Sequence, residues 1–313
     1  MHARVFDAHT HLHKHPSPLT ALAHAIAAGV TDILVCATSP EDWESVLALC
    51  SSHPSTLIPN FGVHPWWARS AGDPSKWLPE LAAVCARARA AGCPRLGIGE
   101  CGLDFSPKAL AANPEAEQRA ALGAQLRLAA AHNLPLSLHC VRAHKALIAE
   151  LGALPARPKG LVLHSWAGRP VDATRLEALA PCVFSFSGGL VASASRALVP
   201  GGAPRTPGCA SRDTLASLSA IPRAMRVFET DAPDQPFQAC ISAGLREAWG
   251  EASGDLADAG ASPTHNSPEF LRHVVKAAAV LLLKGSISDR AAEVAEIETG
   301  GNERLASFFD GPS

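Results

Sequence analysis

Eight short apolar runs, separated by stretches rich in Ala and Leu, constrain the fold of this chain more than any other feature. Several of the intervening stretches have helical periodicity, for example 115–132 and 172–179. Strands that alternate with helices predict parallel pairing through crossover helices. Eight such units predict a (β/α)8 TIM barrel, and a doubly wound open sheet is the alternative. The apolar runs lie at residues 4–8, 31–37, 56–63, 95–100, 134–139, 160–164, 182–187 and 225–230.

The composition is that of a globular protein, with 47% hydrophobic and 18% charged residues, and we expect one domain over residues 1–313. The net charge of −2 argues against a protein that coats duplex DNA, which requires clustered Lys and Arg. Nine cysteines without a CxxC pair predict free thiols in the cytoplasm. The chain opens without signal-peptide features, and its longest apolar stretch, 277–283, is too short to span a bilayer.

Two long segments interrupt the alternation near its end. Residues 188–215 are rich in Gly, Pro, Ser and Ala, and we predict a long mobile loop after the seventh strand. A second excursion, 234–268, is predicted to follow the eighth strand. Both segments are expected to overhang the mouth of the barrel.

His9 and His11 lie two residues apart at the end of the first apolar run. Side chains at this spacing on a strand point the same way, so the two imidazoles can hold one divalent cation. Because His13 and His15 continue the alternation, a histidine-rich surface tract is the alternative. The apolar strand that leads into the motif favours the metal ligands.

Further candidate ligands stand at the ends of other predicted strands: Glu100, His139, His164 and Asp231. In a parallel barrel these ends share one face, where barrel enzymes place their chemistry. A carboxylate at the end of an apolar strand is costly unless a cation or an ion-pair partner offsets its charge. For the two histidines the alternative is a role in the core or at the rim. Asp231 is a candidate ligand and a candidate base toward a bound water.

Three further positions have looser predictions. Glu229 lies two residues before Asp231, where it can position that carboxylate or a neighbouring ligand. His64 has no evident metal partner and is a candidate for contacting substrate or transferring a proton. Trp66 and Trp67 can stack on a base or pack the rim, and packing is expected for at least one of them.

These motifs resemble, essentially end to end, the TatD-type metal-dependent deoxyribonucleases of the amidohydrolase superfamily. The resemblance is carried by Phe6-Asp7-Ala8-His9-Thr10-His11, Gly62-Val63-His64-Pro65, Gly97-Ile98-Gly99-Glu100-Cys101-Gly102-Leu103-Asp104, Leu138-His139-Cys140, His164-Ser165-Trp166-Ala167-Gly168, Glu229-Thr230-Asp231-Ala232-Pro233 and Asn266-Ser267-Pro268-Glu269-Phe270-Leu271. Together they are far more specific than a single HxH motif.

The resemblance implies two divalent metal ions, Mg²⁺, Zn²⁺ or Mn²⁺. His9, His11, Glu100 and Asp231 would hold one ion, and Glu100, His139 and His164 the other, with Glu100 as the bridge. The chain departs from the family pattern where Val141-Arg142 follows His139-Cys140, where His265 replaces a common Arg, and in the expanded 188–215 segment. These departures affect phosphate contacts rather than the ligand set.

The expected function is therefore a hydrolase that cleaves phosphodiester bonds with metal-activated water. The expected substrate is nucleic acid, as single-stranded DNA ends, and no obligatory protein partner is inferred. Asp231 is the expected base, with His64 as acid or substrate contact. Two alternatives remain at this point: hydrolysis of an amide, ester or aminoacyl bond on the same barrel, and a catalytically silent barrel that acts in binding.

Overall fold

The structure is a computed structural model, which describes residues 4–191, 211–235, 266–283 and 291–310. Its strands match all eight predicted apolar runs in position. They are β1 (Phe6–Thr10), β2 (Asp32–Cys36), β3 (Leu57–Phe61), β4 (Gly97–Asp104), β5 (Leu136–Val141), β6 (Leu161–Leu163), β7 (Cys182–Ser187) and β8 (Arg226–Glu229).

The strands follow one another in the order β1 to β8 as a closed barrel. The pairing is parallel, for example between Ile33 of β2 and Leu57 of β3, and between Asp7 of β1 and Phe228 of β8. Strands covered on both faces are expected to be almost wholly apolar, and every residue of β2 and β3 is buried. The predicted (β/α)8 barrel is confirmed, and the doubly wound alternative is wrong.

The crossover segments are helical, as the Ala- and Leu-rich stretches predict. Glu115 and Glu117 place negative charge in the first turn of the second helix after β4, where it complements the helix dipole. The helices are α1 (Pro18–Ala27), α2 (Trp43–Ser52), α3 (Ala68–Ala71), α4 (Pro74–Ala90), α5 (Pro107–Ala112), α6 (Glu115–Ala131), α7 (His144–Gly152), α8 (Pro170–Leu179), α9 (Ser211–Ala220), α10 (Leu271–Leu283), α11 (Ala291–Thr299) and α12 (Asn302–Phe309).

Strand β4 differs from the prediction, because it continues four residues beyond Glu100 to Asp104. Its pairing with β5 shifts register between Ile98 and Cys101. Gly102 makes the close approach to β5 possible: its φ is +148°, and a Cβ there would lie 1.9 Å from the carbonyl oxygen of His139. Such an irregularity re-aims the side chains around it. Because β4 continues to Asp104, Glu100 lies inside the strand and not at its end.

The loop predicted at 188–215 is wrong at both margins. Residues 188–191 are helical, and helix α9 begins at Ser211. The rest of that segment, and most of the predicted loop at 234–268, lie outside the described residues. Neither predicted overhang is tested by the part of the chain that the structure describes.

The chain divides into two compact units. The first unit consists of Met1–Thr31, Ser165–Ala173 and Phe184–Glu303. Its core includes Phe186 and Phe228, whose ring centroids lie 6.4 Å apart.

The second unit consists of Asp32–His164, Thr174–Val183 and Arg304–Ser313. Here α6 reaches the strands through a buried amide: Gln118 accepts from the backbone N–H of Asp104 and donates to its carbonyl oxygen. Organisation of residues 1–313 as one domain stays a prediction. Among the described helices, none combines the length and the hydrophobicity that crossing a bilayer requires.

Candidate metal centre

Three buried side chains of the first unit form a compact triangle, which we call the HHD cluster: His9, His11 and Asp231. The Nε2 atoms of His9 and His11 lie 3.4 Å apart, and each lies 3.7 Å from Oδ1 of Asp231. His9 is fully buried, and the other two are 6% exposed. Three of the four ligands predicted for the first ion thus lie together, although His9 and Asp231 are 222 positions apart in the sequence.

The dimensions of this triangle fit a metal ion. Bonds of about 2.1 Å at a tetrahedral angle place two ligand atoms about 3.4 Å apart. The three separations in the HHD cluster, 3.4 to 3.7 Å, are close to that value. Two imidazole nitrogens and one carboxylate oxygen are ligands that Zn²⁺ and Mn²⁺ accept. The donor set and the spacing therefore both suit a divalent cation.

Backbone hydrogen bonds align the end of β1 with the segment after β8. The N–H of Asp231 donates to the carbonyl oxygen of His9 at 3.0 Å, and that of His11 donates to Ala232 at 2.6 Å. Asp231 has a left-handed backbone, with φ of +57°. This conformation turns the carboxylate toward the two imidazoles rather than along the strand.

Asp7 also connects β1 to the segment after β8. Its carboxyl oxygens accept from the backbone N–H of Thr230 at 2.9 Å and from the hydroxyl of Thr230 at 2.7 Å. Burial raises the pKa of Asp7 to about 8, although the hydrogen bonds from Thr230 oppose that shift. Asp7 therefore binds the β8 terminus and contacts no solvent.

A glutamine that the sequence did not indicate holds the other oxygen of Asp231. Gln235 donates from Nε2 to Oδ2 of Asp231 at 2.7 Å and to the hydroxyl of Ser165 at 3.1 Å. Its Oε1 accepts from the Ser187 hydroxyl at 2.8 Å. Nothing in the sequence distinguishes this glutamine, because it lies beyond the strand and outside the Glu229–Pro233 motif.

Glu229 is fully buried and contacts Ser165 through one oxygen. Oε1 accepts from the backbone N–H and from the hydroxyl of Ser165, both at 2.9 Å. Since Ser165 follows His164 and also contacts Gln235, Glu229 is suited to positioning neighbouring groups. The supporting role of Glu229 stays a prediction.

The second unit holds another cluster, which we call the EHHH cluster: Glu100, His64, His139 and His164. Oε1 of Glu100 lies 3.0 Å from Nδ1 of His139, 3.4 Å from Nε2 of His64 and 3.9 Å from Nε2 of His164. The carboxylate is 2% exposed. Three imidazoles thus face one buried carboxylate oxygen, an arrangement that can hold a cation when the imidazoles are neutral.

Asp104 is a second acidic partner of His139 that sequence reasoning missed. Its Oδ2 lies 3.4 Å from Nε2 of His139 and accepts from Nε1 of Trp66 at 2.6 Å. The sequence signal was its place at the end of the Gly97–Asp104 motif, to which no role was assigned. Burial opposes ionisation of Asp104, but hydrogen bonds from His139, Trp66 and Ser106 outweigh it and hold the pKa well below its usual range.

The pKa of His139 moves the other way. Burial lowers the pKa of His139, but the hydrogen bonds to Asp104 and Glu100 together raise it by more than burial lowers it. The net shift of the pKa is upward. A carboxylate that orients a histidine is a common support for metal ligands. His139 accordingly has a carboxylate near each ring nitrogen.

His64 joins this cluster, in contrast to the expectation that it lacks metal partners. One ligand atom each from His64, Glu100 and His139 lies within 4.8 Å of the others. The backbone N–H of Trp66 donates to Nδ1 of His64 at 3.1 Å. Because that nitrogen accepts, neutral His64 carries its proton on Nε2, which faces Glu100. The tautomer therefore suits hydrogen-bond donation from Nε2 better than metal ligation.

Parallel barrel strands that end in clusters of histidines and carboxylates define a class of protein, the metal-dependent barrel hydrolases. The model of one family, TatD related DNase, matches residues 6–299. The chain belongs to this family. The family resemblance expected from the sequence is confirmed.

The curated relatives are bacterial proteins named 3'-5' ssDNA/RNA exonuclease TatD. The protein from Erwinia tasmaniensis is 37% identical over 148 residues, which are 47% of this chain and 53% of that protein. The protein from Cronobacter sakazakii is 34% identical over 212 residues, covering 68% of this chain and 70% of the relative. The chain thus matches about half the length of the first relative and somewhat more of the second.

Two solved structures are similar to this chain. YjjV, a TatD homologue from Escherichia coli, has a TM-score of 0.70 and 26% identity, with complete coverage of both chains. A TatD family hydrolase from Entamoeba histolytica has a TM-score of 0.71 at 15% identity, covering 99% of each chain. The latter likeness shows the fold alone.

Proposed function

We propose that this protein is a divalent-metal-dependent nuclease that removes nucleotides from the ends of single-stranded nucleic acid. The observation that carries the proposal is the HHD cluster, whose separations of 3.4 to 3.7 Å suit one cation. Membership of the TatD related DNase family supports phosphodiesters as the substrate class.

The proposed cofactors are two divalent ions, Mg²⁺, Mn²⁺ or Zn²⁺. His9, His11 and Asp231 would hold one, and Glu100, His139 and His164 the other. The role of Glu100 as a bridge stays a prediction. When bound, such ions lower the pKa of water toward about 7 and offset charge on the phosphoryl oxygens.

The proposed residue roles follow from the hydrogen bonds around each group. Asp231 takes a proton from the attacking water while Gln235 holds its Oδ2. The new bond joins the water oxygen to phosphorus, and the bond from phosphorus to the leaving oxygen breaks. The leaving oxygen takes its proton from solvent while His64 donates a hydrogen bond to it from Nε2, and Glu229 positions the first-unit groups through Ser165.

Single-stranded ends are proposed for two reasons. A net charge of −2 suits contact with a few phosphates rather than with a long duplex. The curated relatives carry the name of a 3'-5' exonuclease on single-stranded DNA and RNA. A reducing, cytoplasmic location is also proposed, because all seven cysteines in the described residues are buried free thiols.

The test is a ladder assay on a 5′-labelled single-stranded oligonucleotide. Metal-stripped protein should be inactive, and Mg²⁺, Mn²⁺ or Zn²⁺ should restore stepwise shortening that EDTA abolishes. Asp231→Ala purified in parallel is the control for contaminating nucleases. Turnover of aminoacyl or amide substrates without any cleavage of nucleic acid would overturn the proposal in favour of the acyl hydrolase, which the family assignment does not favour.

A further inference from the structure

Trp66, beside the EHHH cluster, and its sequence neighbour Trp67 are exposed, unlike the other tryptophans in the described residues. Trp66 is 49% and Trp67 43% exposed, whereas Trp43, Trp77 and Trp166 are at most 3% exposed. Trp66 lies in a short turn of 3₁₀ helix, Pro65–Trp67, directly after β3. A large apolar surface left in water at this position calls for a reason beyond packing.

Hydrogen bonds to its side chain and to its backbone hold Trp66 in place. Its Nε1 donates to Oδ2 of Asp104 at 2.6 Å, and its backbone carbonyl accepts from the side chain of Asn113 at 2.8 Å. Asp104 is in turn fixed by the backbone N–H of Ser106 at 2.8 Å. The ring is therefore an oriented surface, which loses little conformational entropy when a ligand stacks on it.

Two independent contacts tie this ring to the candidate chemistry. Asp104 also lies 3.4 Å from Nε2 of His139, whose Nδ1 is 3.0 Å from Glu100. The ring of His64 lies edge-on to that of Trp66, with centroids 5.5 Å apart. An aromatic group stacked on Trp66 would thus lie next to the EHHH cluster.

A positive charge lies over one face of the same ring. Nζ of the exposed Lys108 is 5.6 Å from the centroid of Trp66, so a base would stack on the opposite face. A flat apolar face next to an ammonium group matches a nucleotide, which joins a stacking base to an anionic phosphate. A hydrophobic peptide or a lipid would not make use of this pairing at a metal cluster.

We propose that Trp66 stacks on a nucleobase next to the scissile phosphate while Lys108 contacts a phosphate of the same strand. This subsite rests on the proposed nuclease function and adds a specificity determinant to it. Bases in a duplex are already stacked, so the subsite selects single strands. It acts on binding of the strand and leaves the chemistry to the clusters.

The test compares KM and kcat on two sets of single-stranded oligonucleotides, one intact and one with an abasic residue scanned through the terminal positions. For the natural protein, KM should rise at least about fivefold when the abasic residue occupies the stacked position. Trp66→Ala should raise KM by a similar factor on the intact strand and have no effect on that abasic strand. Trp66→Phe should retain most of the affinity.

Trp67→Ala is the matched control, since Trp67 is 43% exposed and adjacent in sequence, and its KM should stay near that of the natural protein. Lys108→Ala should reduce the slope of log KM against log salt by about 0.7 to 1.

Equal KM values for intact and abasic strands at every position would overturn the subsite. This comparison uses only the natural protein, so it does not depend on the folding of any variant. Equal loss by Trp66→Ala on both strands would make Trp66 structural. A natural protein that cleaves neither strand with any metal would instead refute the nuclease function.

Discussion

Gln235 holds Asp231 at 2.7 Å through Oδ2, the carboxylate oxygen other than the one measured against the two histidines of the HHD cluster. The other oxygen, Oδ1, lies 3.7 Å from both imidazole nitrogens. One amide therefore decides which oxygen of Asp231 is presented to a cation, in the manner of the supporting hydrogen bonds around metal ligands.

Replacing Gln235 should weaken metal binding without abolishing it. We expect Gln235→Leu to lower the affinity of the HHD cluster by about 10- to 100-fold, because Asp231 loses its orienting donor. Isothermal titration of metal-stripped protein measures this. Ser187→Ala removes only the hydroxyl that donates to Gln235 and should have a smaller effect. Equal affinities in all three proteins would contradict the positioning role.

Removing a ligand of the HHD cluster should remove stabilisation by metal. A cation that binds only the folded state raises the free energy of unfolding, by about 2.7 kcal/mol at a hundredfold excess over Kd. The melting temperature rises as a result. We expect His9→Ala and Asp231→Asn to lose most of the shift that Zn²⁺ or Mn²⁺ gives to the natural protein. His53→Ala, at the end of α2, should keep the full shift. A metal-dependent shift of unchanged size in His9→Ala would refute the assignment.

His64 should be needed for turnover and not for metal. Because its Nδ1 accepts from Trp66, we expect His64→Ala to keep the metal stoichiometry of the natural protein. Loss of the hydrogen bond to the leaving oxygen should lower kcat by about 10²- to 10³-fold. On a nucleotide p-nitrophenyl ester, whose leaving group needs no proton, the loss should largely disappear. Elemental analysis that finds a metal missing from His64→Ala would make His64 a ligand instead.

Gly102 should tolerate no side chain. An added Cβ would lie 1.9 Å from the carbonyl oxygen of His139, at a φ of +148°. We expect Gly102→Ala to cost more than about 3 kcal/mol of unfolding free energy, since both space and backbone conformation forbid it. Gly92→Ala is the matched control: φ is +87° there but nothing lies within 4 Å, so about 1 to 2 kcal/mol is expected. Urea denaturation of the two variants checks the difference, and equal losses would contradict the steric argument.

Local patterns predicted the secondary structure well because they depend on neighbours in sequence. Apolar runs of strand length placed β1 to β8, and the two-residue spacing of His9 and His11 put both imidazoles on one side of the chain. The helix predicted at 115–132 is α6 within one residue. At 188–215 the composition predicted a loop, but helix α9 begins at Ser211 within this segment.

The amino-acid sequence by itself determined the number and order of the strands, and which histidines and acids end or line them, because periodicity and strand length are properties of adjacent residues. Only the tertiary structure decided that Gln235 orients Asp231, that Asp104 faces His139, and which ring nitrogen of His64 carries the proton. The physical reason is that each of these depends on a backbone turn or register shift a few residues long, whose effect on side-chain direction is set by the groups packed against it.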